Sequence, residues 1–191
     1  MKKLITIALM AALCLNPIKA DSWLKFRGSR SNNTTLLTAE AGSNITNRLE
    51  TYGFADAEEK NICAESRLTY NVGKTKLISE YNGGTGYKDA IRLGFAFKPN
   101  LGKNNFTFVK LFPFESTGKK GPQVSMFTSQ DMGKIDASLL VDYNISPGTV
   151  YVEPTLDLKL GKNYNAFIQG RSFGKIKEID FSIYMGLSKS F

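Results

Sequence analysis

Apolar and polar residues alternate with a period of two along most of the chain beyond residue 20. In the last segment Ile179, Phe181, Ile183, Met185 and Leu187 share one parity, and Asp180, Ser182, Tyr184, Gly186 and Ser188 share the other. Val150, Val152, Pro154, Leu156, Leu158 and Leu160 make a second apolar row, opposed by Tyr151, Glu153, Thr155, Asp157 and Lys159. Ile135, Ala137, Leu139, Val141 and Tyr143 make a third, and Ile91, Leu93, Phe95 and Phe97 a fourth. Successive strand side chains point to opposite faces, so this period predicts strands whose two faces meet different surroundings. No amphipathic helix is evident after residue 20; the best candidate, 55–65, is short and polar.

The punctuation is equally regular. Gly-Lys pairs stand at Gly73-Lys74, Gly102-Lys103, Gly133-Lys134 and Gly161-Lys162. Their spacing of roughly 30 residues is that of a unit of two strands and two connections. Glycine supplies the positive φ of a tight hairpin and lysine faces water. Between these turns lie variable connections at 82–86, 115–121 and 145–148. The expected strands are 22–28, 33–41, 46–55, 66–72, 75–82, 87–98, 104–114, 122–130, 135–144, 149–160, 163–172 and 178–191. The segment 104–114 breaks the rule, because Phe106, Phe108, Phe112 and Phe114 share a parity with Lys110. Pro113 marks a bulge or a strand end there.

Most of these strands are longer than the usual five or six residues and approach the 9–11 that cross a bilayer at a tilt. Charged residues fall on the non-apolar face of nearly every strand. In a membrane barrel the apolar face meets lipid and the polar face lines the lumen, and closure leaves no unpaired backbone edge in the hydrocarbon. The fold expected is all-β: a closed antiparallel transmembrane β-barrel of about 12 strands, with 10 as the alternative. Aromatics near strand ends (Tyr81, Tyr87, Tyr143, Tyr164) suit an interfacial girdle. A soluble secreted β-sandwich or lipocalin-like barrel shows the same alternation with the faces reversed, and would bind an apolar ligand.

Residues 1–20 read as a secretory signal. Lys2 and Lys3 precede an apolar run from Leu4 to Leu15, Asn16 and Pro17 break it, and Ala20 offers a small residue before the cut. A retained anchor helix is the alternative. Cys14 hints at a lipoprotein signal, but Leu13 stands where a small residue belongs. The domain organisation expected is therefore a signal peptide, 1–20, and an outer-membrane barrel, 21–191. Removing 20 residues from 191 leaves 171, enough for twelve crossings of about ten residues with short connections. Removing Lys2, Lys3 and Lys19 lowers the net charge from +8 to +5. Cys63 is then the one remaining cysteine, read as a small loop residue.

Composition narrows the chemistry. A mean hydropathy of −0.21 speaks against a helical membrane protein and is compatible with a barrel, whose apolar half is hidden by alternation. The chain has no histidine, which removes the usual general base and the commonest metal ligand. No catalytic set, metal site or cofactor is expected. Glu153 and Asp157 share a strand face about 13 Å apart at 3.3 Å per residue, too far for a glycosidase pair. A pI near 9.4 hints at nucleic acid, but the lysines are dispersed over strands and turns and the chain is exported. Lysines on the loops are expected to meet lipopolysaccharide phosphates or water.

Assigning the polar parity to the interior gives the pore-lining candidates: Arg67, Lys76, Arg92, Lys98, Asp136, Asp142, Glu153, Asp157 and Arg171. The bases cluster before residue 100 and the acids after 135. In a ring of twelve strands these halves would face one another and set a transverse field across the lumen. The alternative is that neighbouring charges neutralise each other and plug a small barrel.

A terminal Phe191 after alternating apolar residues resembles the C-terminal strand of Gram-negative outer-membrane barrels, which their assembly machinery reads. The architecture is similar to the small monomeric porins specific for acidic sugars, the oligogalacturonate and sialic-acid channel family. The segment Glu65-Ser66-Arg67-Leu68-Thr69-Tyr70 looks like a charged strand opening of that family. The resemblance implies a porin-like outer-membrane channel for small hydrophilic, charged solutes, with the bilayer and lipopolysaccharide as surroundings. The departure is in the lumen: those porins carry strong basic tracks, whereas this chain has six arginines among mixed charges. A non-conducting structural or adhesive barrel is the other membrane reading.

Overall fold

The computed structural model describes residues 22–31, 34–58, 61–85, 89–117, 121–175 and 178–191. The signal peptide expected at 1–20 and Tyr87 lie outside the described residues. Twelve strands follow one another: β1 (Ser22–Arg30), β2 (Thr35–Asn44), β3 (Leu49–Glu58), β4 (Asn61–Val72), β5 (Thr75–Gly84), β6 (Ala90–Phe97), β7 (Asn105–Glu115), β8 (Gln123–Asp131), β9 (Ile135–Asn144), β10 (Thr149–Lys159), β11 (Tyr164–Lys175) and β12 (Glu178–Ser190). Each pairs antiparallel with its sequence neighbour, and β1 pairs with β12, so the sheet closes on itself. The seam holds six residue pairs, Lys25↔Ser190 to Arg30↔Met185, and the Phe191 amide donates to the Leu24 carbonyl at 2.9 Å just beyond it. Closure pairs the edge that an open sheet would expose.

The four Gly-Lys turns all fall at one end of the barrel, together with Ser22 and Phe191. We call this the terminal end and the opposite one the loop end. Gly73 and Gly133 take φ of 61° and 86° there, the left-handed conformation that a side chain resists. The described residues of the segment 55–65 form no helix: 55–58 are the end of β3 and 61–65 the start of β4, paired from Ala55↔Ala64 to Glu58↔Asn61. β4 therefore begins five residues earlier than the alternation suggests. Its outward residues there, Ile62 and Ala64, are too few and too small to make a strong apolar row.

The break in β7 is a bulge. Leu93 pairs with Phe114 but Phe95 pairs with Leu111, so β7 carries one extra residue opposite Gly94. The consequence is a change of face. Phe108, Phe112 and Lys110 point inward, while Phe114 turns out and Glu115 turns in. Phe112 packs with Ile78 and Ala96 on the inner wall, and all three are buried.

The apolar rows point outward. Leu68, Leu77, Ile91, Leu93, Phe95, Leu156, Ile168, Ile183 and Met185 are all exposed, Met185 to 61%. Most charged strand residues point inward, and Lys76, Glu80, Arg92, Lys110, Glu115 and Asp157 are buried, Glu80 to 1%. That is the reverse of a soluble barrel, in which burial of apolar area holds the two walls together. Tyr81 and Tyr164 stand exposed near strand ends, where an aromatic girdle is placed. No described helix is long and apolar enough to cross a membrane.

Candidate functional site: the barrel lumen

The inward direction of the charged parity is established by partners on strands that do not touch. Arg171 on β11 reaches Asp56 on β3 at 2.8 Å, and Tyr184 on β12 donates to Glu58 on β3 at 3.0 Å. Arg27 on β1 lies 3.7 Å from Asp157 on β10. These contacts can only run through the interior of the ring.

One wall carries a dense cluster. Glu80 on β5 accepts from Arg67 on β4 (3.3 Å), Arg92 on β6 (3.2 Å), Lys110 on β7 (2.9 Å) and the Asn82 amide (3.0 Å). Arg67 also reaches Glu65 at 2.6 Å, and its guanidinium lies 4.9 Å from the centre of the Tyr52 ring. Glu115, opposite Arg92 in the register, brings the acids of this group level with its bases. A carboxylate surrounded by three cations and an amide has its lone pairs satisfied, which is what allows it to stay buried.

A second cluster bridges the lumen. Arg171 contacts Glu153 on β10 at 3.1 Å as well as Asp56. Thr38 donates to Asp56, and Tyr151 donates to Glu153. Nearer the terminal end Lys76 pairs with Glu50 at 2.6 Å, Lys159 with Asp136 at 2.9 Å and Asp131 at 3.1 Å, and Arg27 with Glu40 at 3.2 Å.

The sequence-derived candidates are distributed over these groups. Arg67 and Arg92 share Glu80; Lys76, Asp136 and Asp157 each hold a partner outside the candidate set; Glu153 and Arg171 meet each other. Lys98 stands just past β6 with its ammonium 4.9 Å from the centre of the Phe106 ring. Asp142 makes no ion pair among the described residues, and its Oδ1 is buried without a hydrogen-bond partner. Reasoning from parity missed Lys25, Arg27, Glu40, Glu50, Asp56, Glu65 and Lys110. Most lie on strands whose apolar rows are weak, such as the Ala39, Ala41, Ala55 and Ala57 parity of β2 and β3, so the polar face had no contrast to mark it. Lys110 lies on the phenylalanine-rich parity of β7.

With those residues included, the expected division into a basic first half and an acidic second half does not hold. Glu40, Glu50, Asp56 and Glu65 put acids on the early strands, and most bases sit beside an acid. The charges are arranged as local pairs rather than as two facing halves. Among the described residues no group of His, Cys, Asp and Glu is placed to hold a metal ion.

No family model matches the chain, and no curated protein matches it. Solved structures do. A KdgM porin superposes with a TM-score of 0.64 at 11% identity, over 88% of this chain and 99% of that one. A KdgM porin in complex with disordered oligogalacturonate gives 0.62 at 11% identity, over 88% and 99%. A NanC porin gives 0.60 at 6% identity, over 87% and 98%. What is shared is the fold. At these identities the side chains lining the lumen are this chain's own.

Proposed function

We propose that the chain is an outer-membrane channel, porin-like, passing small hydrophilic and charged solutes. The observation that carries this is the inverted barrel: a closed ring with an apolar exterior and a charged interior, in the fold of a solved porin. Lipid is the environment that welcomes such an exterior, and an ion-paired interior suits water-soluble traffic. Arg67, Lys76, Arg92, Lys98, Asp136, Asp142, Glu153, Asp157 and Arg171 are proposed to line the path. The signal at 1–20 would deliver the chain across the inner membrane, and the last strand with Phe191 would be read by the barrel-assembly machinery. Lipopolysaccharide would surround the loop end. No enzymatic activity is proposed.

The test is the addition of purified protein to planar bilayers. Discrete conductance steps are expected; silence across a range of salt and voltage overturns the channel. A second reading, a non-conducting structural barrel, is favoured by the Arg171–Asp56 bridge, which crosses the space a solute would use. It predicts a silent protein that still fractionates with the outer membrane and migrates faster unboiled than boiled. The soluble carrier of an apolar ligand loses its basis, because the charged parity is the inner one.

A further inference from the structure

We infer that this lumen selects cations over anions, so that its solutes carry ammonium or other positively charged groups. The inference rests on the channel reading above and goes beyond it by naming the charge of the traffic. The Glu80 wall is neutral within itself: Glu65, Glu80 and Glu115 balance Arg67, Arg92 and Lys110. Among the described residues, which leave out Lys60, Lys88, Lys119, Lys120 and Lys177, what remains in the loop-end half of the lumen is mainly acidic. Asp56 and Glu58 stand within two residues of the loop end of β3, Asp142 within two of that of β9, and Asp180 within two of that of β12. Glu153 stands four residues into β10. Among the described residues, the bases set against these five carboxylates are Arg171, and Lys175 at the rim of β11.

Three of the five hold no base among the described residues: Glu58, whose partner is the Tyr184 hydroxyl, and two more. Asp142 and Asp180 form no ion pair among the described residues. Beside Asp142, two further oxygens are buried without partners. Ser125 lies opposite it on β8 and is 0% exposed, and Asn144, two residues on along β9, is 6% exposed. The Oγ of Ser125 and the Oδ1 of Asn144 accept nothing from the protein. These oxygens are acceptors that a cation or an ammonium group can use. Of the inward lysines without an ion pair among the described residues, Lys25 and Lys98 stand at the opposite end and Lys175 at the loop-end rim. A mouth lined by carboxylates concentrates cations and repels anions before they reach the constriction, and rings of Asp and Glu do this in cation channels.

The decisive measurement is the reversal potential of the full mature barrel in a planar bilayer under a tenfold KCl gradient. Cation selectivity is expected, with K⁺ favoured over Cl⁻ several-fold. Asp142→Asn and Asp180→Asn, each checked for folding by its unboiled migration, are expected to move the ratio toward unity. Spermidine on the loop-end side is expected to interrupt the current, and trigalacturonate to leave it unaltered. Steps with an anion-selective or unselective reversal potential overturn this inference and leave the channel standing. Steps that are cation-selective but indifferent to both substitutions overturn the assignment to the loop-end acids. Absence of steps overturns both readings.

Discussion

Arg171 and Asp56 lie 115 positions apart in the chain and meet at 2.8 Å across the lumen. Four strand-to-strand steps separate β11 from β3 around the ring, so the pair is a chord through the interior and not a cross-strand contact. Glu153 holds the same guanidinium from β10. A fork with five donors and a fixed plane can serve two carboxylates at once, which lysine could not do with the same geometry. The bridge ties two distant arcs of the barrel and narrows the path between them.

Replacing Arg171 with alanine removes the bridge and leaves Asp56 and Glu153 facing one another without their cation. Removing one partner of a buried pair costs about 3 kcal/mol, at the lower end of the usual range because water in a lumen screens the survivors. The expected outcome is a lower urea midpoint for the detergent- or bilayer-folded barrel together with a higher single-channel conductance. A variant with unchanged conductance would show that the bridge lies off the conducting path.

The strand count and the barrel class were legible because both depend on a period of two and on where the turns fall. Residues such as Ile179, Phe181 and Ile183 are large enough on one parity to declare both faces. The extent of β4 and the face of Phe114 were not. In β4 the outward positions are small, and in β7 the parity changes at a bulge that Pro113 marks without giving its sense. The lumen was half legible. Parity placed Arg92, Asp142 and Arg171, but partnership depends on which strands face each other across the ring. That is a property of closure, and the alternation along any one strand carries no record of it. The chord from Arg171 to Asp56 is the plainest instance.

Glu80 anchors Arg67, Arg92 and Lys110 from a position almost closed to solvent. Glu80→Gln keeps the shape and removes the charge, so three cations are left close together with two carboxylates between them. The expected cost is about 3–5 kcal/mol. It should appear as a loss of the fast-migrating unboiled species, or as a steep fall in its melting temperature. Asp131→Asn is the control. Asp131 is exposed, and its partner Lys159 keeps Asp136, so the fast-migrating species is expected to persist with its melting temperature nearly unchanged.

Cys63 shares the lumen parity of β4, opposite Asp56 on β3 and Gly84 on β5. It is a strand residue, where the sequence suggested a loop. The proposed channel therefore predicts that a charged, water-soluble thiol reagent modifies Cys63 in the folded barrel and lowers the conductance of each step. In a Cys63→Ser background, Ser66→Cys, on the outward parity, is expected to resist the same reagent and to accept an apolar one. Reversal of this pattern would mean that the two faces of β4 are exchanged.

Gly94 is where β6 meets the extra residue of β7. A methyl group there would run into the carbonyl oxygen of Leu111, and would also press on the Phe112 ring at 2.9 Å. Neither neighbour can retreat easily: the carbonyl belongs to the β7 backbone, and Phe112 is held against Ile78 and Ala96. Gly94→Ala should therefore force the bulge to move or to dissolve. Dissolving it would shift β7 by one residue beyond this point, and a shift of one exchanges the faces of every residue that follows. Phe114 would turn into the lumen, and Glu115 would turn toward lipid. The cost of forcing a methyl into a packed backbone is about 1–3 kcal/mol, and a carboxylate on the outer face adds to it. The expected result is slow or incomplete conversion to the fast-migrating form. Glu115→Leu is expected to restore that form in the double variant, since a leucine is at home on the outer face. If Gly94→Ala folds with normal speed and stability, the bulge is not the device that sets which face of β7 meets the lumen.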